Sequence, residues 1–215
     1  MSPRMGLTAD RVTRAAADLA DEIGLDKVTV SALARSFGVK DASLYSHIAN
    51  LDDLRTRVAL LAGAEMIDLI SAEVAGRSGK DALVAFAGAY REFALRCPGR
   101  YAATQIRLDP ARVAAAPGYL HNLDVTYGML RAYGLVEPDL TDAGRLLRGT
   151  FHGYTAIEAA GGFAHSRDIG ASWDRIVEAL HHLLENWPQQ ARTTDTPKTD
   201  ARTADTPTTN QENSP

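Results

Sequence analysis

Residues 29–54 constrain the fold of this chain more than any other stretch. Apolar residues recur there at the i, i+3, i+4, i+7 spacing of one helical face, and they are Val30, Leu33, Ala34 and Phe37. Thr29 is placed to cap this helix, because its hydroxyl oxygen can accept an unpaired N–H of the first turn. Gly38 predicts the end of the helix, since glycine adopts the left-handed backbone of a tight turn without strain.

A second short helix is predicted over residues 40–48, immediately after that turn. Leu44 and Ile48 would point inward, and the remaining side chains, mostly polar, would point outward. Asn50, three residues before Asp53, is placed to cap a long third helix. A short helix with a polar, donor-rich outer face suits the DNA major groove. The stretch therefore predicts a helix-turn-helix that binds DNA.

The candidate base contacts lie at the start of the second helix, and they are Lys40, Asp41, Ala42 and Ser43. Lys40 can donate to guanine, and Ala42 offers only a methyl group to thymine. Asp41 has two possible roles: it can accept from cytosine, or it can cap its own helix. Both roles remain open on sequence alone.

Helical periodicity continues over residues 8–187, and no convincing strand alternation interrupts it. Thr8 and Gly24 are placed to cap and to end a first helix, whose buried face would consist of Val12, Ala15, Leu19 and Ile23. We therefore predict an all-α fold with three segments. These are a helix-turn-helix DNA-binding domain over residues 1–50, a helical domain over 51–188, and a disordered tail over 189–215, where a Thr-, Asp- and Pro-rich ten-residue unit is repeated.

Three groups of residues in the first sixty positions resemble the TetR family of bacterial transcriptional regulators: Thr29-Val30 with Leu33-Ala34, Phe37-Gly38-Val39, and residues 43–48. The resemblance implies that Thr29 and Ser31 approach the DNA backbone or an outer base, and that Tyr45, Ser46 and His47 touch phosphates or a thymine methyl. Tyr45 also has a core alternative, with its ring buried. Two positions depart from the family pattern: Ile48 stands where many members have Phe, and Leu51 where many have a phosphate-binding Lys.

Residues 151–163 resemble the carboxy-terminal domain of a TetR subgroup named for a Trp-His-Gly motif, with Phe151 in place of Trp. In such regulators the last two long helices pair with those of a second subunit. The implied dimer contacts are Gly149, Gly153, Ile157, Trp173, Ile176, Leu180 and Leu184. A helical glycine costs about 1 kcal/mol against alanine, which close helix approach would justify in a protomer core or at a dimer interface alike.

The family resemblance also implies a small-molecule effector whose binding releases a dimeric repressor from a palindromic operator. The candidate lining residues are Phe86, Tyr90, Phe93, Tyr101, Gln105, Tyr119, Tyr127 and His152. The competing interpretation is that these mostly aromatic side chains are ordinary core, which is common at helical spacing. Their polar tips would suit a mostly apolar ligand that forms a few hydrogen bonds.

Composition narrows the function classes. The chain has 215 residues, a formal net charge of −4 and one cysteine, Cys97, which excludes an intramolecular disulfide and suits a reducing cytoplasm. Residues 1–57 carry eight Lys and Arg against eight Asp and Glu, so we expect modest, salt-sensitive DNA affinity. We expect no membrane span, cofactor or metal.

The sequence leaves two alternative function classes. His181, His182 and Glu185 loosely suggest a metal enzyme, but their spacing fits a solvated helix face better, and no catalytic motif accompanies them. A helical adaptor that binds protein in place of DNA is the second alternative. We expect a non-enzymatic DNA-binding regulator.

Overall fold

The computed structural model describes residues 6–188, apart from the side chains of residues 117–123. Within that part of the chain there is no strand, and the α-helices are α1 (Ala9–Ile23), α2 (Val30–Phe37), α3 (Leu51–Val74), α4 (Gly79–Arg96), α5 (Pro98–Ala103), α6 (Pro110–Ala114), α7 (Pro117–Arg131), α8 (Asp139–Ala159) and α9 (Ile169–Glu185). The all-α prediction is confirmed. The predicted tail, residues 189–215, lies outside the described residues.

Side-chain caps begin the first three helices as the sequence predicts. The hydroxyl of Thr8 accepts from the backbone N–H of Arg11 at 3.2 Å, and that of Thr29 accepts from Ala32 at 3.1 Å. The amide oxygen of Asn50 accepts from the N–H of Asp53 at 2.8 Å. These bonds satisfy N–H groups that have no partner within the helix.

The buried face of α1 is shifted relative to the prediction. Val12 is fully buried as expected, but Ala16, Ala17 and Ala20 line the core and Ile23 is 36% exposed. Small residues are needed there because α5 lies directly against α1. A Cβ atom added to Gly99 would fall 2.1 Å from the carbonyl carbon of Ala20, so only glycine permits this approach.

Two hydrophobic cores organise the chain. The head core is built by α1, α2, the segment after α2 and the first half of α3, which contributes Leu54 and Val58. The body core is built by the later helices and by the second half of α3, which contributes Ile67 and Ile70. A single unbroken helix therefore belongs to both cores.

An ion cluster centred on Arg100 joins α5 to the head. Its guanidinium donates to Glu65 at 2.9 Å and to Asp18 at 2.6 Å, and it also pairs with Asp21. The backbone N–H of Arg100 donates to the carboxylate of Asp21 at 2.8 Å, so Asp21 caps α5 from another helix. Burial opposes the charge, but the carboxylates outweigh it and raise the pKa of Arg100. We call this cluster, with Gly99, the α1–α5 junction.

A second buried ion pair fastens the body. The Nε of Arg91 on α4 donates to Glu158 on α8 at 2.8 Å, and the Arg91 guanidinium lies 5.7 Å from the ring centroid of Trp173 on α9. The two side chains are 24% and 13% exposed. One arginine thus holds three helices together through a charge-assisted bond and a cation–π contact.

Replacing Asp53 with asparagine is expected to lower the free energy of unfolding by about 1–2 kcal/mol at pH 7. Its carboxylate bonds Arg57, Arg112 and the N–H of Ala49 at 3.0, 3.0 and 3.1 Å. Burial alone would raise the pKa of Asp53, but these donors lower it below the ordinary 3.8. A depressed pKa contributes stability that is present above the unfolded pKa and is lost as pH falls through the folded one.

The difference between wild type and Asp53→Asn, measured by urea unfolding, should therefore shrink below about pH 4. Asp52→Asn is the matched control, since Asp52 is exposed at the same helix start and its loss should cost no more than about 0.5 kcal/mol. A difference that stays constant down to pH 2.5 would contradict the assigned role.

Candidate nucleic-acid interface

The segment after Gly38 forms a compact helical turn that differs from the predicted helix. It is a 3-10 helix over Asp41–Ser43 followed by hydrogen-bonded turns. The N–H of Leu44 donates to Asp41 at 3.0 Å, and that of Ile48 donates to Leu44 at 3.1 Å. We call residues 40–48 the recognition segment. The prediction of a regular helix there was wrong.

The recognition segment departs from a regular α-helix because it contains serines and because it is short. The hydroxyl of Ser46 donates to the carbonyl of Ser43 at 2.8 Å, and such local side-chain bonds compete with a regular helical ladder. A tight i to i+3 geometry is common in short helical pieces of this kind. The turn before the segment is as predicted, because Gly38 has a φ of 66° in the left-handed region.

The recognition segment is anchored from beneath and open above. Leu44 and Ile48 are 0% and 2% exposed in the head core, as predicted. The candidate contact residues of the segment and of the start of α2 lie at the surface, apart from the half-buried His47, and they are Thr29, Ser31, Lys40, Asp41, Ala42, Ser43, Tyr45, Ser46 and His47. A rigid base with polar side chains outward provides the geometry that groove contact requires.

Asp41 has a role that the sequence did not reveal. Its carboxylate accepts a hydrogen bond from the hydroxyl of Ser31 on α2, and no side chain caps the 3-10 helix. The capping alternative is therefore not what the structure shows. The Ser31–Asp41 bond instead ties the two arms of the helix-turn-helix together at their exposed edge.

Tyr45 is the largest exposed ring of this surface. It is 55% exposed, so its core alternative was wrong. Leu51, at the start of α3, is half-buried against the head core and offers no charge. Where many family members place a lysine, this chain presents only the N-terminal N–H groups of a capped helix, which can still face an anion.

The candidate effector residues fall into separate places. Phe86, Tyr90, Phe93 and Tyr101 are 3–7% exposed in the body core. The hydroxyls of Tyr90 and Tyr101 lie 2.9 Å apart, and that of Tyr101 lies 2.7 Å from Nδ1 of His152. Burial, together with the bond to Tyr101, raises the pKa of Tyr90. Tyr90, Tyr101 and His152 therefore form one hydrogen-bonded chain across α4, α5 and α8, which we call the tyrosine chain.

The other candidates do not join that chain. Gln105 is exposed and lines a groove of about 470 Å³ between the end of α1 and α5. Tyr127 lies beside Thr141, with 3.4 Å between the hydroxyls. The side chain of Tyr119 lies outside the described residues. Periodicity placed these residues on helices but could not show which faces meet.

The candidate dimer residues also divide. Trp173, Leu180 and Leu184 are 4%, 7% and 1% exposed because they pack in the protomer's own core, so they cannot form an outer contact face. Ile157 is 45% exposed, and Ile176 is half-buried. Chain neighbours and the backbone of the same helix turn aside, no atom among the described residues lies within 4 Å of a Cβ added to Gly149 or Gly153, so close helix packing within the protomer does not require these glycines.

The residues that sequence reasoning missed are those of the α1–α5 junction. Arg100 and Asp21 are 79 positions apart, and no local pattern links them. The Pro98-Gly99 pair follows the end of α4 and also begins α5, with Pro98 in the first turn. The small residues at Ala16 and Ala20 were the one available signal of a close helix approach.

Residues 6–188 contain neither a metal-binding cluster nor a membrane-spanning helix. No group of three or more His, Cys, Asp and Glu residues there could hold a metal ion. His181 and His182 instead pair with Glu185 and Glu178 along α9 at 3.3–3.4 Å. No helix in the same part of the chain is long and apolar enough to cross a bilayer.

The helix-turn-helix has an apolar underside that is buried and an outer surface that is polar, and it is attached to a second helical core. This arrangement is that of a DNA-binding regulator. Residues 12–58 match the family model of bacterial regulatory proteins, tetR family, and residues 83–180 match the tetracyclin repressor-like, C-terminal domain. The chain belongs to the TetR family. Members of this family are transcriptional regulators, not enzymes. The match does not distinguish the Trp-His-Gly subgroup, which stays a prediction.

Relatives of known sequence carry the same description. The chain is 32% identical over 169 residues to the uncharacterized HTH-type transcriptional regulator YobS of Bacillus subtilis, across 79% of this chain and 88% of that protein. It is 33% identical over 159 residues to the uncharacterized HTH-type transcriptional regulator Rv0681 of Mycobacterium tuberculosis, across 72% of each chain.

Solved structures share the fold. ActR of Streptomyces coelicolor, in complex with (S)-DNPA, aligns with a TM-score of 0.66 at 18% identity over 85% of this chain and 98% of that chain. A TetR variant from Acinetobacter baumannii, in complex with minocycline, aligns with a TM-score of 0.66 at 19% identity over 86% and 100% of the two chains. Both similarities extend through the body as well as the head.

Proposed function

We propose that this protein is a cytoplasmic, homodimeric repressor that binds a palindromic operator and is released by a small molecule. The observation that carries the DNA half is the recognition segment, whose two apolar anchors are buried while its polar residues stay exposed. Lys40 is the candidate donor to guanine, and Tyr45 is the candidate phosphate or methyl contact. The Ser31–Asp41 bond supports these roles because it fixes the register of the two helical arms.

The dimer is supported by an unused face on α8. Gly149, Gly153 and Ile157 follow one another at spacings of four residues, and the space above both glycines is open. On α9 the neighbouring outward residues are Ile176 and Leu183, and Leu183 is 39% exposed. Two such helices from each subunit would form a four-helix interface in which the glycines permit close approach. This face replaces the part of the predicted interface that lies in the protomer core.

The small-molecule part of the proposal rests on the tyrosine chain. The Tyr90, Tyr101 and His152 contacts are internal hydrogen bonds that a ligand with one or two polar groups could replace. Because α3 and α5 border both the body core and the head, a ligand that repacks the body would change the angle of the head. Such a ligand must bind the DNA-incompetent state more tightly to release the operator. ActR and the minocycline-bound TetR variant are fold relatives with small molecules in their complexes.

The deciding experiment is selection of genomic DNA fragments by the purified full chain at two salt concentrations. We expect an enriched palindrome whose half-sites lie about 34–36 Å apart or at a multiple of that spacing. Binding should weaken steeply with salt because phosphate contacts release counterions. A dimer in solution with no enriched sequence would favour the adaptor alternative and refute the operator.

Two substitutions then test the assigned roles. Lys40→Ala should relax base preference at one position of each half-site, at a cost of about 1–3 kcal/mol on the preferred base. Tyr45→Ala should weaken binding evenly across sequences and leave the preferred palindrome unchanged. Arg131→Ala is the matched control, since Arg131 is exposed at the end of α7, far along the chain from the head. Equal effects of the Lys40 and Tyr45 changes on every sequence would contradict the division of roles.

A further inference from the structure

A polar cavity of about 570 Å³ lies on the head, apart from the tyrosine chain and from the recognition segment. Its walls come from the first turns of α3, the 3-10 turn after α1, and the segment from the end of α5 into α6. Three arginines line it, and they are Arg55, Arg107 and Arg112. The volume is that of a small-molecule site, not of a single water.

Arg55 carries the strongest signal. Its Nε is buried and has no hydrogen-bond partner, and it is the one such side-chain atom in the part of the chain that the structure describes. An unpaired buried donor costs about 1–3 kcal/mol, and more when it is charged, so proteins seldom leave one without a function. Arg55 as a whole is half-buried and lines the cavity, so an acceptor could bond Nε only after a shift of this side chain.

The other donors reinforce this polarity. Arg107 is exposed at the rim and has no partner among the described residues, and Thr56 adds a hydroxyl to the same wall. One guanidinium nitrogen of Arg112 donates to the carboxylate of Asp53 at 3.0 Å, but the Arg112 side chain is still 48% exposed. A guanidinium has five N–H donors, so Arg112 keeps others free.

The cavity also contains three carboxylates, which set the balance of charge. Asp109 uses one oxygen to cap α6, accepting from Ala111 at 2.9 Å. Asp26 and Asp52 are exposed at the rim. They reduce the attraction for an anion, because three carboxylates stand against three guanidinium groups along the same lining. Selectivity would therefore come from hydrogen-bond geometry more than from net charge.

We propose that this cavity binds a small organic anion through its carboxylate or phosphate group, held by the guanidinium groups of Arg55, Arg107 and Arg112. Planar guanidinium groups match both oxyanions through paired N–H···O bonds. An occupant would touch the 3-10 turn, α3 and the α5–α6 segment at once. The site stands on these contacts alone and does not require the operator proposal to hold.

The test is a titration of the full-length protein with inorganic phosphate and, separately, with succinate, against sodium chloride at equal ionic strength. Calorimetry and the unfolding temperature are both recorded. We expect saturable binding of at least one probe to wild type and to Arg131→Ala. Arg55→Ala should bind at least about tenfold more weakly, the loss of one charge-assisted bond. Arg107→Ala changes an exposed residue, so we expect it to weaken binding with no change in the unfolding temperature of the probe-free protein.

Asp26→Asn is expected to change the anion affinity in the opposite direction. Removing a rim carboxylate should tighten anion binding several-fold, whereas a purely structural effect would not improve it. Binding no stronger than that of chloride would overturn the proposal, and so would equal binding by wild type, Arg55→Ala and Arg107→Ala. If free protein binds neither probe but Arg55→Ala and Arg107→Ala weaken DNA binding, the arginines serve DNA phosphates, and the small-anion site is refuted.

Discussion

Replacing Gly99 with alanine should lower the free energy of unfolding by about 3 kcal/mol, the upper range for forced overpacking. The added Cβ would lie 2.1 Å from both the carbonyl carbon and the oxygen of Ala20. These are backbone atoms in the last turns of α1, so no rotamer change can relieve the overlap. Relief requires α1 and α5 to separate, which would also strain the Arg100 bonds to Asp18 and Asp21.

Gly88→Ala is the matched control for this experiment. Gly88 lies in the middle of α4, it is exposed, and nothing lies within 4 Å of an added Cβ. Alanine should therefore stabilise that helix by about 0.5–1 kcal/mol. Urea unfolding of both variants at one protein concentration gives effects of opposite sign if the close approach is real. A Gly99→Ala protein within 0.5 kcal/mol of wild type would show that α1 and α5 are not in contact.

The second large effect is expected from Arg91→Ala, at about 2–3 kcal/mol. The change leaves the carboxylate of Glu158, whose side chain is 13% exposed, without its guanidinium partner. It also removes the cation–π contact over Trp173. Because the two side chains are partly exposed, the expected loss in the free energy of unfolding does not exceed the lower end of the range for breaking a buried ion pair.

Arg96→Ala supplies the control on the same helix. Arg96 pairs with Glu92 one turn away, and the two side chains are 60% and 53% exposed. Such surface pairs contribute less than about 0.5 kcal/mol. Adding Glu158→Gln to the Arg91→Ala background should recover part of the loss, because the unpaired charge is then gone. If the Arg91 and Arg96 changes cost the same, the buried pair has no special weight.

Local signals predicted the head of this protein well. Thr8, Thr29 and Asn50 cap their helices, and Gly38 turns the chain, because each of these effects depends on neighbours within four residues. The recognition segment was assigned the right buried residues, Leu44 and Ile48. Its helix type was wrong because serine side chains compete for the backbone, which hydrophobic spacing does not register.

Contacts between residues far apart in the chain could not be predicted from the sequence. The apolar residues of α9 cover more than one side of the helix. Only the packed protomer shows that Trp173, Leu180 and Leu184 are the ones that face inward. Likewise, the partner of Arg91 is 67 positions away on α8. Periodicity identifies an apolar face, but the identity of the opposing surface depends on how helices are arranged in space.

The shared helix α3 has a mechanical consequence. At 24 residues it is about 36 Å long, and one end carries the recognition segment while the other is set in the body core. A tilt of only about 5° at the body end would displace the head end by about 3 Å, comparable to the length of one hydrogen bond. If two subunits bind one operator as proposed, their groove contacts could not both follow such a shift. In the dimer proposed above, a very small rearrangement around Ile67 and Ile70 would therefore be enough to change the spacing between the two recognition segments.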